Sequence, residues 1–211
     1  MDTVPVRRRQ ALGSALCQLE AQRLIRLLQE WLALERERLP FRVVAREAPA
    51  SVQLAGLELA LRVDRIDELE DGSSVIIDYK SGAAAIADWL GPRPAKPQLP
   101  LYGLAAHSPP AGLAFAAVRE RACQLSGLAR TEVGPGIDTD IETRTRRRMP
   151  SPDWAALLSA WQHVVEALAA AFVNGEAAVD PLTANSCSHC GLQALCRIEQ
   201  RRAESCNEAG A

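Results

Sequence analysis

The sequence predicts an α/β fold in which a mixed central β-sheet is flanked by helices. Three patterns predict it: an amphipathic helical stretch early in the chain, two strands joined by a tight-turn signal, and a second helical stretch late in the chain. The chain has 211 residues, of which 48% are hydrophobic, so it can bury a sizeable core. This composition argues against global disorder.

The first half of the chain supplies a long helix and a β-hairpin. Apolar residues recur at helical spacing over residues 10–38, and Pro40 ends that helix. Asp71-Gly72 is a tight-turn signal between two stretches with strand patterns, which we expect to pair as a hairpin. The predicted strands are residues 41–47, 57–69 and 75–80.

The second half continues with a loop, a short helix, a strand and a long helix. The short helix should begin near Gln98 or Pro100, and a core strand should cover residues 112–119. The polar stretch that follows has no clear pattern up to Pro150. A helix is expected from Ser151, with Ser-Pro-Asp as its N-terminal signal, to about residue 173.

Charge and hydropathy narrow the classes of partner. The formal net charge of −2 argues against binding nucleic acid by bulk electrostatics, so any such contact must be local. Arginine clusters at residues 7–9 and 144–148 are candidates, although such clusters are more often solvated faces. No apolar signal segment and no run of eighteen uncharged apolar residues occurs, so we expect a cytoplasmic protein without a membrane partner.

Two carboxylates and a lysine on the predicted hairpin are the candidate chemical centre. Asp78 and Lys80 lie on the same face of their strand, and Asp64 comes from the strand that the turn folds back beside it. Two ionised carboxylates that share a site in an apolar sheet repel one another, which costs free energy. A cation such as Mg²⁺ between them removes that cost. The alternative is that these residues form ordinary surface salt bridges on a hairpin.

The chain resembles the RecB/AddB-like branch of the PD-(D/E)XK nucleases. Three motifs carry the resemblance in the expected order: LRVDRID at 61–67, VIIDYKSG at 75–82 and QLPLY at 98–102. It implies a restriction-endonuclease-like core, with Asp64 as first acid, Asp78 as second acid and Lys80 as motif lysine. Asp64, Asp78 and the carbonyl of Tyr79 would hold Mg²⁺ or Mn²⁺.

The resemblance also implies roles for Gln98 and Tyr102, which share one helix face and would shape the site. Alone, these two would be interpreted as a helix cap and a core aromatic. Asp67 should lie on the opposite strand face from Asp64, as a structural ion-pair partner. Glu47 is a weak candidate for a further ligand.

Three cysteines near the C-terminus form a second candidate site. Cys187, Cys190 and Cys196 have a spacing similar to the triplet that binds a [4Fe–4S] cluster in AddB-like relatives, and thiolates suit Zn²⁺ as well. His189 is an alternative zinc ligand. A fourth ligand would come from Cys206, from Cys17 or Cys123, or from outside this chain. Merely reduced, partly buried cysteines are the remaining alternative.

We expect two units, a nuclease core over residues 1–179 and a Cys-rich tail over residues 180–211. The relatives carry an upstream histidine that supports the metal site and a distant cluster cysteine. Neither has a counterpart here, because His107 is the first histidine and Cys17 lies inside a predicted helix. We therefore expect this chain to be the C-terminal part of a longer repair nuclease.

The sequence therefore predicts a Mg²⁺-dependent deoxyribonuclease that acts in recombination or double-strand-break repair. Its partners would be DNA, as single strands or duplex ends, and a helicase domain or subunit. Two alternatives stay open: a non-catalytic DNA-binding or assembly module, and a zinc-stabilised interaction domain.

Overall fold

A six-stranded mixed sheet organises the chain in this computed structural model, which describes residues 13–82, 85–188 and 190–198. The strands lie in the order β1 to β6 across the sheet. Their bounds are β1 Phe41–Leu54, β2 Leu57–Leu69, β3 Ser74–Lys80, β4 Gly112–Ala117, β5 Gln124–Ala129 and β6 Ile137–Asp138. The pairs β3/β4 and β5/β6 are parallel and the other three pairs are antiparallel. The predicted fold class is confirmed.

Helices cover both faces of the sheet. The α-helices are α1 Ser14–Glu35, α2 Gln98–Ala105, α3 Ile141–Thr145, α4 Trp154–Val173 and α5 Gln193–Cys196. Two short 3₁₀ helices cover Ile86–Trp89 and Ala184–Cys187. The helix α2 lies in the crossover between the parallel strands β3 and β4, where a helical connection is expected.

Alternation along β3 separates two cores. Ile76 joins Leu113 and Phe115 in the core against α2 and α4, on what we call the front face. Val75 and Ile77 join a second core against α1, on the back face. The predicted alternation along this strand is therefore confirmed, and it places Asp78 and Lys80 on the front face.

Aromatic side chains hold the front core together. Trp89 packs edge-on against Phe115 and Trp161, with ring centroids 5.0 and 6.3 Å apart. Trp154 packs edge-on against Trp161 at 6.0 Å. Offset and edge-on geometries are those that aromatic pairs prefer. Since Trp89 ends the short 3₁₀ helix that follows β3, this cluster holds that helix against α4.

The long helix α4 begins one turn later than the sequence suggested. Its N-cap is Asp153, whose side chain accepts a hydrogen bond from the backbone N–H of Ala156, so Pro152 precedes the helix. By length and composition alone, α4 is long and apolar enough to cross a membrane. One such helix is weak evidence for a membrane span, because the core helix of a globular protein passes the same test. One of its faces is buried in the core through Trp154, Leu157, Trp161, Val165 and Ala169.

Three further differences separate the structure from the sequence prediction. β1 extends to Leu54 because a two-residue turn at Ala55 and Gly56, both with positive φ, pairs it with β2 along its whole length. The stretch before Pro150 contains β5, β6 and α3 rather than irregular chain. In α1 the leucines 16, 19, 24 and 28 are exposed, and Trp31 is buried against the sheet.

Candidate active site

The sheet is irregular where Asp64 lies. The β2/β3 ladder ends at the pair Arg65/Ile77, one step before Asp64 and Asp78 would face each other. On the other side, the β1/β2 pairing passes from Arg65 to Val63 without a partner for Asp64. Glu47, which would pair there, has a left-handed backbone with φ of 48°. Left-handed backbone is uncommon for a residue other than glycine and often accompanies functional sites.

The carboxylate of Asp64 takes the place of the missing backbone pairing. Its Oδ2 accepts a hydrogen bond of 2.9 Å from the backbone N–H of Tyr79. Tyr79 lies between Asp78 and Lys80 in β3, so this bond brings Asp64 to the end of that strand. The predicted convergence of the two strands therefore occurs in the structure.

Asp78 is a buried carboxylate with little hydrogen bonding. Its side chain is 0% exposed, and Lys80 Nζ lies 2.6 Å from its Oδ2. That contact is short but poorly aligned, because neither Asp78 oxygen has a hydrogen-bond donor of normal geometry among the described residues. Burial raises the pKa of Asp78; Lys80 opposes this effect and the nearby charge of Asp64 adds to it.

A chain of three hydrogen bonds connects Lys80 to helix α2 and back to β2. Lys80 Nζ donates to Gln98 Oε1 at 2.7 Å, and Gln98 Nε2 donates to the hydroxyl of Tyr102 at 2.6 Å. The Tyr102 hydroxyl then donates to the carbonyl of Arg62 at 2.6 Å. Burial is the main cause that raises the pKa of Tyr102, so this hydroxyl stays protonated and keeps its donor role.

The donor set fits a hard divalent cation. Two carboxylates from adjacent strands meet beside the backbone of Tyr79, and the two Asp78 oxygens lack aligned donors within the described part of the chain. Mg²⁺ and Mn²⁺ prefer such oxygen ligands and keep several waters. A cavity of about 510 Å³ opens beside Asp64. Its lining includes Arg62, Lys96, Gln98, Leu101 and Tyr102.

Within the described residues, the tail cysteines do not form an assembled metal site. Cys187, Cys190 and Cys196 are all free, and in residues 13–82, 85–188 and 190–198 no three His, Cys, Asp or Glu side chains come together as metal ligands. The Sγ of Cys190 accepts from the backbone N–H of Leu192, and the Sγ of Cys196 donates to the carbonyl of Gln193. His189 and Cys206 lie outside the described residues.

A buried ion-pair network behind the site was only partly predicted. Asp67 is fully buried and pairs with Arg65 at 2.6 Å and Arg38 at 2.7 Å, so its predicted structural role is confirmed. Sequence reasoning missed Arg65, Arg38 and Glu35 as members of this network. A signal existed, since Arg65 and Asp67 share one strand face and Glu35 and Arg38 are one helical turn apart.

The remaining charged candidates have other partners. Glu47 pairs with Arg62 at 2.8 Å, and both side chains are largely exposed. Arg144 pairs with Asp138 at 2.6 Å, and Arg148 donates to the carbonyl of Ala87. The arginines at positions 7–9 lie outside the described residues.

A mixed sheet with an acid pair and a lysine at a strand end defines the restriction-endonuclease-like class of fold. The family model for the PD-(D/E)XK nuclease superfamily matches residues 3–197. The chain belongs to this superfamily, whose members are generally hydrolases of nucleic acids that use divalent metals. No curated protein sequence matches the chain.

Proposed function

We propose that this chain is a deoxyribonuclease that hydrolyses phosphodiester bonds with the help of Mg²⁺ or Mn²⁺. One observation carries the proposal: Asp78 is fully buried, its two oxygens accept no aligned hydrogen bond from the residues that the structure describes, and a lysine and a second carboxylate lie beside it. A buried ionised carboxylate is costly when its only close partner is one lysine, and a bound cation lowers that cost.

Asp64, Asp78 and the carbonyl of Tyr79 would hold the cation. When bound, such an ion polarises a phosphoryl oxygen and lowers the pKa of a bound water. The protein's contribution is to keep the two carboxylates together at the end of β3 before the ion arrives. The hydrogen bond from the Tyr79 N–H to Asp64 serves this purpose.

Lys80 would act on the reacting water or on developing charge. Its ammonium group lies within 2.7 Å of both Asp78 and Gln98, which restricts where it can point. The amide of Gln98 is itself held by Tyr102, and Tyr102 by the Arg62 carbonyl. An oriented cation that needs no rearrangement during the reaction is an effective electrostatic catalyst.

The choice of DNA, and of repair as the process, comes from the motif resemblance to the RecB/AddB-like branch. The net charge of the chain, −2, is compatible with DNA contacts that are confined to a cationic patch. A helicase domain or subunit as partner and a cytoplasmic location stay predictions from the sequence.

A [4Fe–4S] cluster or Zn²⁺ in the tail is a proposal that rests on cysteine spacing. The three cysteines are not brought together in the described part of the chain, so no step of the reaction is derived from such a group. Elemental analysis and the visible absorption spectrum of anaerobically purified protein would identify the metal. A colourless protein without iron or zinc would refute the proposal.

A cleavage assay tests the nuclease proposal. Labelled linear duplex with single-stranded ends, single-stranded DNA and matched RNA would be incubated with Mg²⁺, with Mn²⁺ and with chelator. We expect metal-dependent cleavage of DNA that falls by about 10²–10³-fold in Asp78→Asn, which loses a ligand of the proposed cation, and in Lys80→Ala, which loses the group that would act on the developing charge.

Asp71→Asn is the matched control. Asp71 is an exposed carboxylate in the β2–β3 turn, where asparagine forms the same turn, so this variant should cleave as the wild type does. Equal cleavage by all variants, or cleavage that chelator leaves unchanged, would contradict the assignment. Cleavage of RNA alone would contradict the choice of DNA.

A further inference from the structure

A buried charge network lies on the back face of the sheet, directly behind the acid pair. Arg65 contacts Asp67 at 2.6 Å and Glu35 at 2.9 Å, and Arg38 contacts Asp67 at 2.7 Å and Glu35 at 3.0 Å. The four side chains are between 0 and 9% exposed. The ring of Phe41 lies against the guanidinium of Arg38 at 4.0 Å. Two cations and two anions balance, so the network is neutral and stiff.

Tyr79 connects this network to the site. On the back face its hydroxyl accepts a hydrogen bond of 2.9 Å from Arg65 Nη1, and its ring packs edge-on against Trp31 at 5.8 Å. Its backbone N–H donates to Asp64 Oδ2. One residue therefore has its side chain in the network and its main chain between the two acids.

The regular sheet does not by itself hold Tyr79 against β2. The β2/β3 ladder stops at Ile77, two residues earlier, and Tyr79 pairs with Ala116 of β4 on its other side. The distance between Tyr79 and β2 is thus controlled by two side-chain bonds, one from Asp64 and one from Arg65. Because Arg65 neighbours Asp64 in sequence, its bond to Tyr79 draws together the strand segments that carry the acids.

We propose that Arg65 and the Tyr79 hydroxyl are positioning residues that align Asp64 and the Tyr79 carbonyl for the cation. This inference rests on the proposed metal-dependent function. Arg65 and the hydroxyl touch neither cation nor substrate, since they lie on the face of the sheet opposite to Asp78 and Lys80. Glu35 contacts Arg65 from helix α1.

A purely structural role predicts a different result. If the network only stabilised the docking of α1, every change in it would lower the unfolding temperature and leave cation affinity unchanged. Arg38 provides the comparison, because it contacts Glu35 and Asp67 and not Tyr79. Arg38→Lys therefore weakens the network without touching the proposed bond.

Binding of Mn²⁺ alone, measured by calorimetry or by electron paramagnetic resonance, tests the inference on the full chain. We expect Tyr79→Phe to raise the Kd for Mn²⁺ by about 3–10-fold, the size of one typical net hydrogen bond, with little change in unfolding temperature. Arg65→Lys should raise the Kd similarly and lower the unfolding temperature. The double variant should bind no more weakly than the weaker single variant, because both changes break one bond.

Arg38→Lys should lower the unfolding temperature and bind Mn²⁺ as the wild type does. A wild-type Kd in Tyr79→Phe, or an equal loss of affinity in Arg38→Lys, would overturn the positioning role while leaving the nuclease proposal intact. Absence of both Mn²⁺ binding and cleavage in the wild type would instead overturn the proposed function.

Discussion

At the scale of single residues, Asp78 combines an ionisable carboxylate with a site that offers it few donors. Its side chain is 0% exposed, and its nearest cation, Lys80, is shared with Gln98. The sequence predicted the position of this acid on the front face of β3. It did not predict that Asp78 lacks aligned donors among the residues described, because that depends on which backbone groups the neighbouring strands leave free.

Asp78→Asn should stabilise the metal-free protein near neutral pH. Burial raises the pKa of Asp78 in the folded state above its ordinary value of 3.8. The contribution of Asp78 to stability is therefore complete below pH 3.8 and is lost as the pH rises through the folded-state pKa. Removing the charge should raise the free energy of unfolding by on the order of 1 kcal/mol, which corresponds to about 2–4 °C in Tm for a chain of this length. Thermal unfolding with chelator at several pH values checks this.

The gain should disappear below pH 3.8, where wild-type Asp78 is protonated in both the folded and unfolded states. Asp71→Asn, on the exposed turn, should show no such gain near neutral pH. If Asp78→Asn were less stable than the wild type near neutral pH, Asp78 would not be a strained carboxylate and its pairing with Lys80 would dominate.

At the scale of elements, the β1–β2 hairpin positions Asp64, and its turn is not built from the preferred residues. Ala55 and Gly56 have φ of 49° and 84°, the conformation of a two-residue turn that favours Asn-Gly. Alanine at positive φ is strained, which explains why the sequence did not signal this hairpin. The Asp71-Gly72 turn, with a favourable pair, was predicted.

Ala55→Asn should therefore stabilise the protein by about 0.5–1 kcal/mol, since asparagine tolerates left-handed backbone better than alanine. The backbone N–H of Ala55, which donates to Glu166, is unchanged by the substitution. Ala60→Asn, on an exposed position of the extended strand β2, is the matched control and should be neutral or destabilising. Urea denaturation compares the two variants directly. Equal shifts of the urea midpoint would show that relief of turn strain does not cause the stabilisation.

At the scale of the whole molecule, stability and cation binding are linked. A ligand that binds only the folded state stabilises it, by about 2.7 kcal/mol at a concentration one hundred times its Kd. We expect Mg²⁺ to raise the Tm of the wild type and of Asp71→Asn, and to leave that of Asp78→Asn unchanged. Differential scanning calorimetry with and without Mg²⁺ measures this. An equal rise in all three would place the bound cation elsewhere.

The sequence by itself determined the fold class, the hairpin β2–β3, the alternation that separates Asp78 from Tyr79, and the pairing of Gln98 with Tyr102 on one helix face. These features depend on local periodicity and turn chemistry, which a short stretch of residues contains. The sequence missed β5, β6 and α3, which lie in a stretch without strong periodicity, because packing rather than local preference decides such segments.

Only the tertiary structure decided how the candidate site is held. The end of the β2/β3 ladder, the bond from Tyr79 to Asp64, and the contact of Arg65 with both Glu35 and Tyr79 join residues far apart in the chain. Such contacts depend on strand register and helix docking, which arise when the whole core packs. Sequence patterns identify which groups have the right chemistry, and packing determines which of them meet.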